Sequence, residues 1–240
     1  MQVDTEREWI FELNDFSNMK VLDFENGTQL YYMDNFYKYP DLVLNYLNSK
    51  EPPLWKYGPD WDPYKTSKNT KDFEDRRHQI DHIGMEKIYK KLSKLCGQSP
   101  SSYTEIVTNY TRFSKCKNNN YIDNYWWPHH DTGYNGICYF NDYDGEEYDG
   151  TYIYRPKYED MVKMHQKPEH EDPWTPKSNW DVLLKIKAKY NRFVMFDGFE
   201  FWHGMYLDGT KWFADNYKDA DYRINQVFFF TDKRSEFYTG

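Results

Sequence analysis

The polar residues in WWPHHDTGYNGICYFND, positions 126 to 142, raise the first chemical question in this chain. His129 and Asp131 are separated by one residue, so on an extended backbone their side chains leave on the same side and can share one ion. Burying them without a partner would be expensive. His203, far downstream in FDGFEFWHGM, can supply a third ligand. Two imidazoles and a carboxylate on one face of an octahedral ion leave three positions open, which suits non-haem Fe(II) and oxygen chemistry. The same donors also suit zinc with one bound water, the arrangement of a hydrolase. His130 leaves an extended backbone on the side opposite Asp131 and is read as supporting the ligands or facing substrate. A His-x-Asp triplet alone is common in polar turns, so its weight depends on the elements around it.

Those elements are legible in outline. TQLYYMDNF reads as a strand, and YPDLVLNYLNSK as a helix with Pro40 in its first turn, where the missing N–H costs nothing. GMEKIYKKLSKLCG reads as a second helix, with Met85, Ile88, Tyr89, Leu92 and Leu95 on one stripe and Gly97 as its stop. From Ser102 the periodicity changes. YTEIVTNYTRF, GICYFN, GTYIYR, DVLLKIKA, RFVMFDG and YRINQVFFF are short β-rich runs separated by turn residues, as in a sandwich or barrel. The expected fold is mainly β with flanking helices, in a single domain over 1–240 with an N-terminal α/β support region over 1–101. Residues 102–232 would form the core. KTSKNTKD and KCKNNNYIDN read as loops, and 156–180, with Pro168, Pro173 and Pro176, as a long insertion or lid over the site. His78 and His82 read as surface residues, His165 and His170 as solvated, and Trp126, Trp127, Trp174, Trp180 and Trp202 as core or rim.

Composition narrows the function classes. A net charge of -8 and a pI near 5.4 disfavour a grip on phosphate backbones, so a nucleic-acid partner is not expected. No apolar run approaches the ~20 residues of a membrane span. Cys96, Cys116 and Cys138 share no CxxC spacing and follow no signal peptide, as expected of reduced thiols in a cytoplasmic protein. Aromatics make up 20% of residues, so any pocket should be lined by rings. Alanine occurs only at 188, 214 and 220 while Asn, Lys and Tyr abound, a bias that fits an AT-rich coding genome such as a bacteriophage's. The sequence is silent on oligomeric state.

Taken together, Pro128, His129 and Asp131 before a strand, Asp197 and Gly198 before His203, and an Arg opening the last strand resemble the Fe(II)/2-oxoglutarate-dependent dioxygenases. The likeness covers 102–232 and is closest to the prolyl-hydroxylase-like branch and its small phage-encoded relatives. It implies a double-stranded β-helix, a jelly roll of cupin type, with His129, Asp131 and His203 as iron ligands. It further implies Arg223 on the distal carboxylate of 2-oxoglutarate, a task suited to a guanidinium fork. O2 would be the second co-substrate, with ascorbate supporting turnover and succinate and CO2 released.

Tyr110, Tyr139 and Tyr154 are candidate pocket walls, with Tyr139 ranked first by strand alternation as a co-substrate contact. Two features depart from the family pattern. Asn225 stands where many members have Ser or Thr, and Arg223 follows His203 at more than the usual distance, so Lys211 competes for the anchor role. Within that resemblance, retention of Asp131 implies hydroxylation, or another oxidation that starts with hydrogen abstraction, rather than halogenation, the substrate being a peptidyl side chain, an amino acid or another small molecule. The competing readings are a zinc hydrolase and a non-catalytic β-barrel module that binds a metal or a carbohydrate.

Overall fold

The computed structural model describes residues 5–49, 55–57, 73–79, 84–97, 103–114, 126–131, 133–157, 179–205 and 211–230. In chain order the strands and helices are β1 (Lys20–Asp23), β2 (Gln29–Met33), α1 (Pro40–Asn48), β3 (Trp55–Tyr57), β4 (Phe73–Gln79) and α2 (Gly84–Leu95). They continue with β5 (Tyr103–Ser114), β6 (Trp126–His129), β7 (Tyr134–Tyr139), β8 (Tyr148–Pro156) and β9 (Trp180–Ala188). The last are β10 (Phe193–Asp197), β11 (Trp202–Met205), β12 (Phe213–Ala214) and β13 (Arg223–Phe230).

Among the described residues two sheets carry the structure. The larger runs β1-β2-β10-β7-β13-β5-β4-β3, and the smaller is β6-β11-β8-β9. From β5 onward the chain crosses between them repeatedly, and apart from the short parallel β12 contact every pairing is antiparallel. This is the jelly-roll arrangement expected of the core.

Alternation in the central strands makes the larger sheet apolar on both faces, since each face has something to bury. Ile137, Tyr139, Val194, Phe196 and Val227 face the smaller sheet and meet Ile153, Ile186 and Ala188. Cys138, Phe193, Met195, Phe228 and Phe230 face the other way, under Val43 and Leu47 of α1 and Ile88, Tyr89 and Leu92 of α2. Phe228 is fully buried there, so truncating it to Ala removes about 3–5 kcal/mol. Both expected helices are present. Pro40 opens α1, and Gly97 follows α2 at a φ of 66, a left-handed value that suits glycine.

The N-terminal segment is stitched to the barrel by Asn191. Its side-chain oxygen accepts from the Tyr37 N–H at 2.9 Å and its amide donates to the Tyr37 carbonyl at 2.8 Å, as a neighbouring strand would. Cys96 and Cys138 are free thiols. Among the described residues no helix is long and apolar enough to cross a membrane. The expected loops KTSKNTKD and KCKNNNYIDN, nearly all of the expected lid, and Cys116, His82, His165, His170 and Trp174 lie outside the described residues.

Candidate metal centre

β6 and β11 are antiparallel neighbours, and their register sets His129 directly opposite His203, with ring centroids 4.4 Å apart. Asp131 lies just past β6, where the chain crosses to the larger sheet. Its N–H donates to the Gly198 carbonyl at 3.0 Å, and the Gly198 N–H donates to the Gly133 carbonyl at 2.6 Å. A Cβ at Gly198 would stand 2.6 Å from that carbonyl oxygen and 3.0 Å from Cβ of Asp131, so only glycine fits. The Asp-Gly turn before the distal histidine is therefore what lets the two crossovers touch. Asp131 Oδ2 lies 3.8 Å from His129 Nε2 and 3.2 Å from His203 Nε2, and one ligand atom from each of the three residues falls within 4.8 Å of the others.

Hydrogen bonds orient these donors. His203 Nδ1 is 3.0 Å from the Phe201 carbonyl oxygen, which can only accept, so Nδ1 carries the proton and the Nε2 lone pair faces Asp131. Phe196 packs edge-on against the ring at 4.7 Å and seals its back. Burial alone would raise the Asp131 carboxyl. The His129 and His203 rings beside it and the hydrogen bond that Asn135 donates more than reverse that, holding it below the usual carboxylate range.

Asn135, buried on β7, donates its amide to Asp131 Oδ2 and approaches His203 Nε2 at 3.3 Å. Sequence reasoning missed it. The signal available was a polar residue in phase with Ile137 and Tyr139, on the inward face of a buried strand. His130 stays out of the cluster and rests its ring on Trp202 at 4.1 Å. Burial, with the neighbouring His203 and His129, pushes its imidazole down to about 4.

Away from the triad the inner face continues to Tyr139, whose hydroxyl donates to Thr151 Oγ1 at 2.7 Å. Burial pushes that phenol up to about 12. Asn225 lies opposite Tyr139 across β7 and β13, and Arg223 lies beyond it. The Arg223 side chain is buried, with its guanidinium 5.9 Å from the Tyr139 ring and 5.6 Å from the Trp212 ring. Among the described residues no carboxylate reaches ion-pair distance of it, and burial pushes its pKa down. Arg223 Nε and Asn225 Oδ1 are buried without hydrogen-bond partners among the described residues. So are Thr111 Oγ1 and Asn109 Oδ1, on the residues paired with Arg223 and Asn225 in β5. Four such atoms on adjoining strands form a polar patch in an otherwise apolar interior.

The other candidates lie elsewhere. Lys211 is exposed and holds its ammonium 4.2 Å over the Tyr143 ring. Tyr110 and Tyr154 do not line the inner face as expected: alternation turns each outward. The Tyr110 hydroxyl donates to Asn48 Oδ1 of α1 at 2.7 Å, and Tyr154 packs with Tyr152 and Trp180 on the outer side of the smaller sheet.

No model of a known protein family matches this chain, and no curated protein matches it. Among solved structures, a Pseudomonas putida prolyl-4-hydroxylase is similar at a TM-score of 0.33 and 8% identity, over 81% of this chain and 99% of that one.

The donor set itself has clear chemical capacity. Two imidazoles and a carboxylate, converging from one side and with one ring held by the Phe201 carbonyl, can hold a divalent transition metal with positions left open. Among the described residues no second group of three such donors converges in this way.

Proposed function

We propose that this protein is an Fe(II)- and 2-oxoglutarate-dependent oxygenase that hydroxylates a peptidyl side chain, an amino acid or another small substrate. The observation that carries the reading is the pairing of the His129, Asp131 and His203 cluster with a buried Arg223 that has no ion-pair partner among the described residues, in the same barrel. A buried cation with no anion beside it is costly, and the carboxylate of a ligand would relieve it. A zinc hydrolase would use the three ligands and leave Arg223, Asn225, Asn109 and Thr111 without a role.

The chemistry that iron would supply is O2 reduction coupled to oxidation of the keto acid: one oxygen atom enters succinate as CO2 leaves, and the other is inserted into a substrate C–H bond. The chain's own residues prepare for it. Asn135 holds the Asp131 carboxylate in place, and the Phe201 carbonyl holds the His203 ring. Arg223 receives the distal carboxylate with Asn225 beside it, while Tyr139, tied to Thr151, flanks the co-substrate. Ile137 and Val227 lie on this inner face and keep water from the path. Along β7, Asn135 and Tyr139 are roughly 14 Å apart, a gap that a chelating keto acid and an extended arginine side chain can span together.

The test is succinate release under air, with Fe(II), ascorbate and 2-oxoglutarate, over a panel of peptides, amino acids and nucleosides. Succinate formed in step with a substrate gaining one oxygen supports the reading. Metal-dependent hydrolysis of a panel member without 2-oxoglutarate would replace it with the zinc reading.

A further inference from the structure

At the far end of the barrel from the triad, three rings close the interior. Trp212 meets Tyr148 edge-on at 5.6 Å, Tyr148 meets Tyr143 at 5.1 Å, and the Trp212 indole N–H donates to the Tyr143 hydroxyl at 3.2 Å. Outside them lies a cavity of about 300 Å³, lined by these rings with Glu147, Asp149, Lys187 and Lys211.

Its charges sort into those already matched and one that is not. Asp149 pairs with Lys187 at 3.0 Å, and Glu147 pairs with Arg192 at 2.7 Å. Lys211 has no carboxylate partner among the described residues, and its position over the Tyr143 ring aims it along the cavity wall. Behind the rings stands a second cation with no carboxylate at ion-pair distance among the described residues, the Arg223 guanidinium, 5.6 Å from the Trp212 ring. In a chain of net charge -8, two cations without an ion-pair partner among the described residues thus stand on either side of one aromatic wall, Lys211 on the cavity side. The cavity is at the small end of the range for ligand pockets, enough for a compact flat molecule.

We propose that this cavity is a second ligand site, distinct from the metal centre, for a small aromatic carboxylate. The carboxylate meets Lys211 and the flat body lies against Trp212 and Tyr148. Asp149, buried and paired with the more exposed Lys187, accepts from a hydroxyl or amino group on the ligand's far edge.

The experiment uses the full chain without added metal or 2-oxoglutarate, so its outcome does not depend on the oxygenase reading. The indole N–H resonance of Trp212 is identified by its loss in Trp212→Phe, then followed in the wild type while benzoate, benzamide or inorganic phosphate is titrated. Benzoate is expected to shift it saturably in the millimolar range, with benzamide at least roughly tenfold weaker because it lacks the charge. Lys211→Met should abolish the benzoate response and leave the rest of the spectrum unchanged. No saturable shift with benzoate would overturn the proposal, as would equal binding of benzamide. A response lost in Arg223→Met but kept in Lys211→Met would overturn it too, because the ligand would then sit inside the barrel. An equal response to phosphate would reduce the site to a nonspecific anion contact and overturn the aromatic part of the assignment.

Discussion

Arg223 and Lys211 show how two cations close in sequence can hold opposite positions in a fold. Arg223 opens a buried strand and lies on the inner face beside polar atoms that have no hydrogen-bond partner among the described residues, whereas Lys211 sits outside the aromatic wall. Replacing Arg223 by Met should weaken 2-oxoglutarate binding by about 2 to 5 kcal/mol, the scale of losing one partner from a buried charge pair. Isothermal titration of the Fe(II)-loaded protein under nitrogen measures this. Lys211→Met should leave the same constant near wild type, and the opposite pattern would move the anchor to the outer site. At the metal, His129→Ala and His203→Ala should each abolish the weak visible band expected when 2-oxoglutarate chelates iron on a facial triad. His130→Ala should retain the band, since its ring rests on Trp202 outside the ligand cluster. Absorbance of the anaerobic complexes separates the three variants.

At the scale of elements, the crossovers deserve as much weight as the strands. Gly198→Ala would push a methyl group against the Gly133 carbonyl and Asp131, so it should cost about 1–3 kcal/mol of stability and weaken metal binding in parallel. Urea unfolding and Co(II) titration together check this, and a variant with wild-type values in both would show that the crossovers can part without harm.

The long apolar strands, both helices and the convergence of His129, Asp131 and His203 were legible because each follows from a local rule: alternation, a helical stripe, a proline start, a His-x-Asp pair. β6 and β11 were not read as strands. Each has only four residues, one of them a ligand, His129 in β6 and His203 in β11, and neither sequence alternates apolar and polar residues. Their pairing is a property of the second sheet, visible only after the chain has crossed to it. Asn135 was missed for a related reason: one amide in an apolar strand has no meaning until Asp131 folds over it. Tyr110 and Tyr154 were proposed as pocket walls on strand membership alone, without the register that turns them outward.

For the whole molecule, the donor set has a mechanical side. His129 and His203 belong to the smaller sheet and Asn135 to the larger, while Asp131 and Gly198 sit on the two crossovers that join them. A metal held there is a clasp at the seam of the sandwich. Occupancy should therefore stabilise the fold as any ligand of the native state does, by about 4 kcal/mol at a thousandfold excess over its dissociation constant. Thermal unfolding with and without Co(II) would read this as a higher midpoint, reversed by a chelator. An unchanged midpoint under saturating metal would mean the ion binds the unfolded chain equally well. The short strands β6 and β11 lie at this seam, so their amides should gain the most protection from hydrogen exchange when metal is added. The buried faces of β7 and β13, already closed by apolar contacts, should barely respond. The two histidines would then serve as the latch of their own sheet, and losing the ion would loosen the barrel from its mouth inward.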